Sequence, residues 1–247
     1  LGQSAARASG GCFVMGQAAG TAAALRVGSG FSVAELQRRL RGHALANPVL
    51  VAVALLSALL LLSGTSYASY MNGAGLIHFL LGPATVALAI PLHANWPRLK
   101  SMAGPLLLVL LVASLVAVVS AWGLGAWLGA GPESRISLAI KSITTPIAMA
   151  VTERLGGLPA LTAVLVIVTG IVGGLCAEAL YRWLRIDDDA VRGFALGLAA
   201  HGLGTARAFQ FSEQAGAFAA LGMGLNGLLT SFALPWLLPW LERLLAR

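Results

Sequence analysis

Apolar runs long enough to cross a lipid bilayer dominate this sequence. A bilayer-crossing helix needs about 20 apolar residues, and such runs recur from Val49 to the C-terminus. Only 10% of the residues are charged and 58% are hydrophobic, with a mean hydropathy of +0.85. Lipid cannot satisfy free backbone groups, so segments of this kind are helical. The sequence therefore predicts an all-α, polytopic membrane protein.

About six to seven hydrophobic segments are expected, some of them broken or re-entrant. Their approximate ranges are 48–64, 76–92, 104–128, 136–151, 158–182, 193–209 and 215–241. Pro83 and Pro91 interrupt the second segment and Pro146 interrupts the fourth. Because proline removes a backbone donor and clashes with the preceding helical turn, these two segments are predicted to be broken or re-entrant.

Three similar motifs suggest internal repeats. They are Gly82-Pro83-Ala84-Thr85, Thr144-Thr145-Pro146-Ile147-Ala148 and Gly204-Thr205-Ala206-Arg207-Ala208, at offsets of roughly 60 residues. Internal repeats with interrupted helices are typical of secondary transporters. A chance pattern in a Gly- and Ala-rich chain is the alternative.

Basic loops indicate the orientation of the chain. Lys and Arg are enriched in short cytoplasmic loops. We therefore expect Arg38, Arg39 and Arg41, and later Arg98 and Lys100, to lie on the cytoplasmic side. The basic loop from Arg182 to Arg192 falls on the same side only if the segment 136–151 re-enters without crossing. We therefore expect re-entry there.

Residues 1–45 are interpreted as an atypical N-terminal arm, separate from a transmembrane domain at 46–247. The stretch from Gly11 to Leu25 is cut short by Arg26, and it resembles the C-terminal tail of FAD-dependent oxidoreductases. A fusion remnant, a gene-model error and a coincidence all remain open. No GxGxxG follows a strand here, so no flavin cofactor is expected.

Lys141 is the most distinctive polar residue of the apolar segments. Ser142, Thr144 and Thr145 follow it, just before Pro146. A charge at membrane depth is costly unless it is paired or hydrated, so such residues usually face an aqueous cavity or a substrate path. Together with helix N-terminal amides, these side chains could bind a carboxylate. The alternative is a lysine that snorkels to the interface.

A second polar stretch contains His201, Gly204, Thr205 and Arg207. Its glycines permit close backbone approach, and an arginine can bind a carboxylate through two hydrogen bonds. The alternatives are a stop-transfer arginine at a helix end and a histidine that only packs. Asn226 completes the candidate substrate-binding set, although a hydrogen bond between helices would also explain it.

Other function classes are not supported by the sequence. No paired carboxylates, Ser/His/Asp set or metal-ligand spacing is evident, so we expect neither an enzyme nor a metal site. The net charge of +7 is spread over loops and does not form a nucleic-acid-binding patch.

The ordered motifs resemble those of the LrgB family of bacterial membrane proteins over about 200 residues. The matching stretches are Asn47-Pro48, Ser66-Tyr67, 82–88, 141–150, 156–163, Arg192-Gly193, 200–207 and 216–218. The resemblance implies an inner-membrane protein described as antiholin-like, or as a modulator of murein hydrolase export, acting beside an LrgA-type partner. It also implies a carrier, because plastid relatives transport glycolate and glycerate and bacterial relatives are linked to pyruvate uptake.

Two functional hypotheses follow. In the first, the protein is a secondary transporter of small monocarboxylates, which Lys141, Thr144, Thr145 and Arg207 bind at facing helix breaks. In the second, it modulates murein hydrolase export and autolysis together with its LrgA-type partner and needs no internal site. The abundance of small residues also favours a homodimer.

Overall fold

The computed structural model describes residues 55, 58–65, 69–70 and 93–245. Six helices lie between residues 93 and 245, and that range contains no strand. They are α1 (Trp96–Trp127), α2 (Pro132–Ala139), α3 (Thr145–Arg154), α4 (Pro159–Leu184), α5 (Asp189–Phe211) and α6 (Glu213–Leu245). The predictions for the arm 1–45 and for the segment 76–92 fall outside the described residues.

The chain divides into two compact units, one of residues 10–87 and one of residues 88–247 with 1–9. In the smaller unit, residues 58–63 are helical and the helix ends at Gly64. Gly64 has a φ of +62°, a conformation that glycine adopts without steric cost at helix ends. This end agrees with the predicted limit of the segment 48–64.

Prolines mark the start of four helices in the larger unit. Each of α1, α2, α3 and α4 carries one in its first turn, at Pro97, Pro132, Pro146 and Pro159 respectively. Proline suits this position because the first amides of a helix have no partner within it. The sequence thus sets these boundaries locally.

Three of the six helices are long and apolar enough to cross a membrane, namely α1, α4 and α6. The other three are too short or too polar by the same criterion. The larger unit therefore has the helical, polytopic membrane architecture that the sequence predicts.

The two short helices α2 and α3 form a first hairpin. The helix breaks at residues 140–144, and the Ser137 hydroxyl accepts a hydrogen bond from the Leu158 amide at 2.9 Å. In a straight helix these residues would be about 30 Å apart. The chain thus reverses at the break before Pro146, and the predicted interruption of the segment 136–151 is confirmed.

A second hairpin is built into α5. His201 has a φ of 43° and a ψ of −130°, which breaks the helix. The Tyr181 hydroxyl donates to the Arg192 carbonyl at 2.8 Å, and the Tyr181 ring lies 6.5 Å from the Phe211 ring. Because residues at both ends of α5 contact Tyr181, the helix must fold back on itself. The apolar segment 193–209 is therefore broken at His201, although no proline marks the break.

Ion pairs identify which helix ends lie together. Arg98, near the start of α1, pairs with Asp188 at the start of α5, and we call this the basic end. Arg135 of α2 pairs with Glu242 near the end of α6, and we call this the far end. The loop at Arg98 and the loop from Arg182 to Arg192 therefore lie at the same end of the unit, as predicted, whereas Arg38 to Arg41 lie outside the described residues.

Asp188 also caps α5, because its carboxylate accepts from the amides of Ala190 at 2.8 Å and Val191 at 3.2 Å. Desolvation would raise the pKa of this carboxyl. The two amide donors and the Arg98 charge outweigh that effect and hold the pKa of Asp188 below its ordinary value.

The two hairpins enter the unit from opposite ends. The first hairpin leaves the far end and returns to it, where α4 begins. The second leaves the basic end after α4 and returns to it, where α6 begins. Two of the three repeated motifs lie at these breaks, Thr144–Ala148 directly at the first and Gly204–Ala208 just after the second. Broken helices in opposite orientations are a feature of inverted-repeat transporters.

Candidate functional site

A mostly apolar cavity, which we call the lysine cavity, lies between the two hairpins, α1 and α4. Its volume is about 510 Å³. The first hairpin contributes its break and the second contributes the end of its first arm. The lining residues are Val109, Ala113, Ala117, Lys141, Ser142, Val168, Thr169, Val172, Gly173, Ala195, Leu198 and Ala199. The only charged residue in this lining is Lys141.

Lys141 has no negatively charged partner within the described part of the chain. Among the described residues, its ammonium donates only to the Ser142 hydroxyl, at 3.2 Å. The lysine lies eight residues beyond Glu133, or about 12 Å deeper along the helix direction. An ammonium at this depth is unfavourable without a counter-charge, so the cavity is suited to an anion.

The start of α3 follows Lys141 closely in the sequence. Thr144 is its N-cap but makes no capping hydrogen bond, and Pro146 occupies the first turn. Thr145 is fully buried and its hydroxyl has no partner in the described part. A buried hydroxyl without a partner is unusual. The helix start also carries a partial positive charge, but neither Thr144 nor Thr145 lines the cavity.

Asn226 joins both hairpins to the long helices. Its amide nitrogen donates to the carbonyl oxygens of Ser142 at 3.1 Å and Leu198 at 3.0 Å. Its side-chain oxygen accepts from Ser114 at 2.7 Å and Thr230 at 3.1 Å. Both carbonyls lie where a helix break removes the usual donor. Since an asparagine amide offers about four such bonds, Asn226 has none left for a substrate and positions the hairpins instead.

Replacing Asn226 by alanine should destabilise the protein. Two buried carbonyls lose their donor and two hydroxyls lose their acceptor, with an expected cost of about 2 kcal/mol in unfolding free energy. Thermal unfolding in detergent measures the effect. Ser231→Ala is the matched control, because that hydroxyl bonds only to the Gly227 carbonyl of its own helix. Equal unfolding midpoints for the two variants would contradict the positioning role.

His201 forms the tip of the second hairpin and is fully buried. Its Nε2 lies 2.8 Å from the Val166 carbonyl, which can only accept, so Nε2 carries the proton. The other ring nitrogen, Nδ1, has no partner in the described part. The side chain thus ties the hairpin tip to α4. A methyl group at Gly170 of α4 would lie 2.8 Å from the His201 ring, so a glycine is needed there.

The structure does not bring Arg207 to Lys141. Arg207 lines a separate pocket at the basic end and pairs with Glu178 at 3.1 Å. Gly204 packs closely on the first arm of the second hairpin, where an added Cβ would meet the Leu196 carbonyl at 2.4 Å. The Thr205 hydroxyl donates to the His201 carbonyl at 2.9 Å. Thus only Lys141 and Ser142 of the predicted set line the lysine cavity.

Three polar residues near the cavity were missed by sequence reasoning. Thr169 lines the cavity, and Ser114 and Thr230 hydrogen-bond to Asn226. Their only sequence signal is a hydroxyl inside an apolar run, which many helices carry for other reasons.

Spanning helices that enclose two opposed hairpins with a lysine-lined cavity define a polytopic membrane protein with discontinuous helices. The chain belongs to the LrgB-like family, whose pattern matches residues 30–240. No solved structure matches the chain.

Relatives in several bacteria share most of their length with this chain. YwbG of Bacillus subtilis is 43% identical over 195 residues, which cover 79% of this chain and 87% of YwbG. The holin-like protein CidB of Staphylococcus epidermidis is 30% identical over 194 residues, covering 78% of this chain and 85% of CidB. CidB of Staphylococcus aureus is 29% identical over 192 residues, covering 78% and 84%.

Proposed function

We propose that the protein is a multi-pass inner-membrane carrier of small monocarboxylates such as glycolate, glycerate or pyruvate. One observation carries the proposal, namely the unpaired ammonium of Lys141 in a cavity between two opposed helix breaks. A carboxylate would supply the missing counter-charge, and the Ser142 hydroxyl would supply a second hydrogen bond.

The size of the cavity also supports a small solute. About 510 Å³ is within the range of small-molecule sites and exceeds the volume of a two- or three-carbon acid, so water can accompany the substrate. The remaining lining is mostly Val, Leu, Ala and Gly, which gives few polar partners beyond the carboxylate. We therefore infer that the charge is the main feature recognised, and we assign no catalytic reaction to the chain.

Uptake into liposomes tests the carrier function. Liposomes that contain the full chain should accumulate labelled glycolate, glycerate or pyruvate with saturable kinetics, and protein-free liposomes should not. The measurement is made with and without a pH gradient, because the coupling ion is a separate question. If none of the three acids showed saturable uptake in either condition, the carrier function would be rejected.

A second candidate is an antiholin-like function in murein hydrolase export and autolysis. The relatives named holin-like support it, and in this respect the comparisons favour it over carboxylate transport. In this function the protein would assemble with an LrgA-type membrane partner or with a second copy of itself, through faces rich in small residues.

Autolysis assays separate the two functions. Cells that carry Lys141→Met are compared with cells that carry the wild-type chain at equal membrane abundance. If assembly alone matters, the variant should support the wild-type rate of lysis, although its uptake is lost. If lysis responds to carboxylate flux, both readouts should fall together.

A further inference from the structure

A second pocket lies at the basic end, where both arms of the second hairpin meet the end of α4. We call it the arginine pocket, and its volume is about 340 Å³. It is lined by Glu178, Tyr181, Arg182, Arg192, Arg207, Gln210 and Phe211. Three guanidinium groups face one carboxylate, so the lining carries an excess of positive charge.

Arg207 shows that this pocket can hold an oxyanion. Its guanidinium donates to the Glu178 carboxylate at 3.1 Å and also to the Gln210 side chain. The Arg207 side chain is only 15% exposed, whereas that of Glu178 is 55% exposed. Glu178 can therefore turn towards solvent and leave Arg207 in place for another oxyanion.

The other two arginines have different roles. The Arg192 guanidinium donates to the Ile186 carbonyl at 2.6 Å and pairs with Asp187 at 3.1 Å. Asp189 lies 3.7 Å from it. These contacts fix the position of Arg192 in the lining. Arg182 is exposed, and within the described residues its guanidinium has no hydrogen bond or ion pair. One guanidinium is thus free and a second is held by an exchangeable carboxylate.

The surroundings of the pocket resemble a membrane interface. Trp183 is 78% exposed next to Arg182, and Leu180 and Leu184 are also exposed. Tryptophan is enriched where lipid headgroups begin, and basic pockets between helices at that level bind anionic headgroups. Exposed tryptophan and leucine beside clustered arginines are typical of the headgroup level of a membrane.

We propose that the arginine pocket binds a phosphate group, supplied by the headgroup of an anionic phospholipid, which displaces Glu178 from Arg207. Arginine suits phosphate because its planar fork can make two parallel hydrogen bonds to it. This site is distinct from the lysine cavity and does not depend on the carrier function.

Native mass spectrometry of the full chain with phosphatidylglycerol and phosphatidylcholine tests the proposal. Wild-type protein should retain phosphatidylglycerol in preference to phosphatidylcholine. Arg182→Gln and Arg207→Gln should each weaken that binding by about tenfold, because each removes a charge-assisted contact. Glu178→Gln should strengthen it, because the internal competitor is lost. Arg154→Gln, an exposed arginine on the first hairpin near the far end, should bind like the wild type.

Arg182 is exposed, so its replacement should not impair folding. If Arg207→Gln does not fold, Arg182→Gln still tests the proposal. Equal retention of the two lipids by wild type would overturn the proposal, as would unchanged binding by Arg182→Gln. Thermal stabilisation by inorganic phosphate, without any preference for the anionic lipid, would overturn the lipid as the source of the phosphate.

Discussion

Lys141→Met should weaken carboxylate binding by about 10- to 100-fold and reduce uptake accordingly. Methionine retains much of the length of the side chain and removes the charge. The anion then enters a cavity whose lining holds no other charged residue, and it loses the counter-charge that compensates for its desolvation. Binding and initial uptake rates of the same preparation provide the measurement.

Two further variants make the Lys141 result specific. Lys141→Arg keeps the charge and should retain part of the binding. Lys100→Met removes a lysine at the basic end, where it lies 5.3 Å from the Trp96 ring centre, and should transport like the wild type. If Lys141→Met kept wild-type affinity, or if Lys100→Met lost as much, the cavity would not be the binding site.

Gly197→Ala should prevent stable packing of α5 on α6. An added Cβ at Gly197 would lie 1.9 Å from the Ala219 carbonyl oxygen, and one at Gly193 would lie 2.0 Å from that of Ala215. Backbone cannot yield as a flexible side chain can, so the two helices must separate. We expect a loss of about 3 kcal/mol or more in unfolding free energy, seen as low membrane yield and a lowered unfolding temperature.

Gly224→Ala is the matched control for this prediction. Gly224 also lies in a helix, but an added Cβ there meets no atom within 4 Å. Alanine favours the helix by about 1 kcal/mol over glycine, so this variant should be as stable as the wild type or slightly more stable. Equal stability of Gly197→Ala and Gly224→Ala would show that the close approach of α5 and α6 is not required.

Local chemistry made part of the fold predictable. Pro146 removes an amide donor inside an apolar run, and the helix does break just before it. Likewise, the loop charges predicted that Arg98 and the loop after α4 lie on the same side. The ion pair between Arg98 and Asp188 joins them. Each of these inferences depends on one residue type and its immediate neighbours.

The second break could not be predicted in this way. His201 adopts a positive φ without a proline beside it, because contacts with α4 and α6 hold it there. These include the Val166 carbonyl bound by its ring and the Leu198 carbonyl bound by Asn226. Such partners are distant in sequence, and spacing alone does not reveal them.

The same limitation applies to the candidate site. Lys141 was identifiable because a charged residue in an apolar run has few explanations other than a functional one. Arg207 was the second candidate by the same criterion, yet the fold-back at His201 carries it to the basic end, into the arginine pocket. Asn226 was identifiable as polar, but only the structure shows that four neighbours use its hydrogen-bonding capacity.

Thermal stabilisation of the purified chain by glycolate and by its uncharged amide, glycolamide, tests the central claim most directly. A ligand that binds the folded state raises the unfolding temperature by mass action, and the two compounds differ mainly in the charge that Lys141 would compensate. Our account predicts that glycolate raises the unfolding midpoint in a concentration-dependent manner, as glycerate or pyruvate should, and that glycolamide does not. No shift with any of the three acids, or an equal shift with glycolamide, would contradict an anion site between the two hairpins.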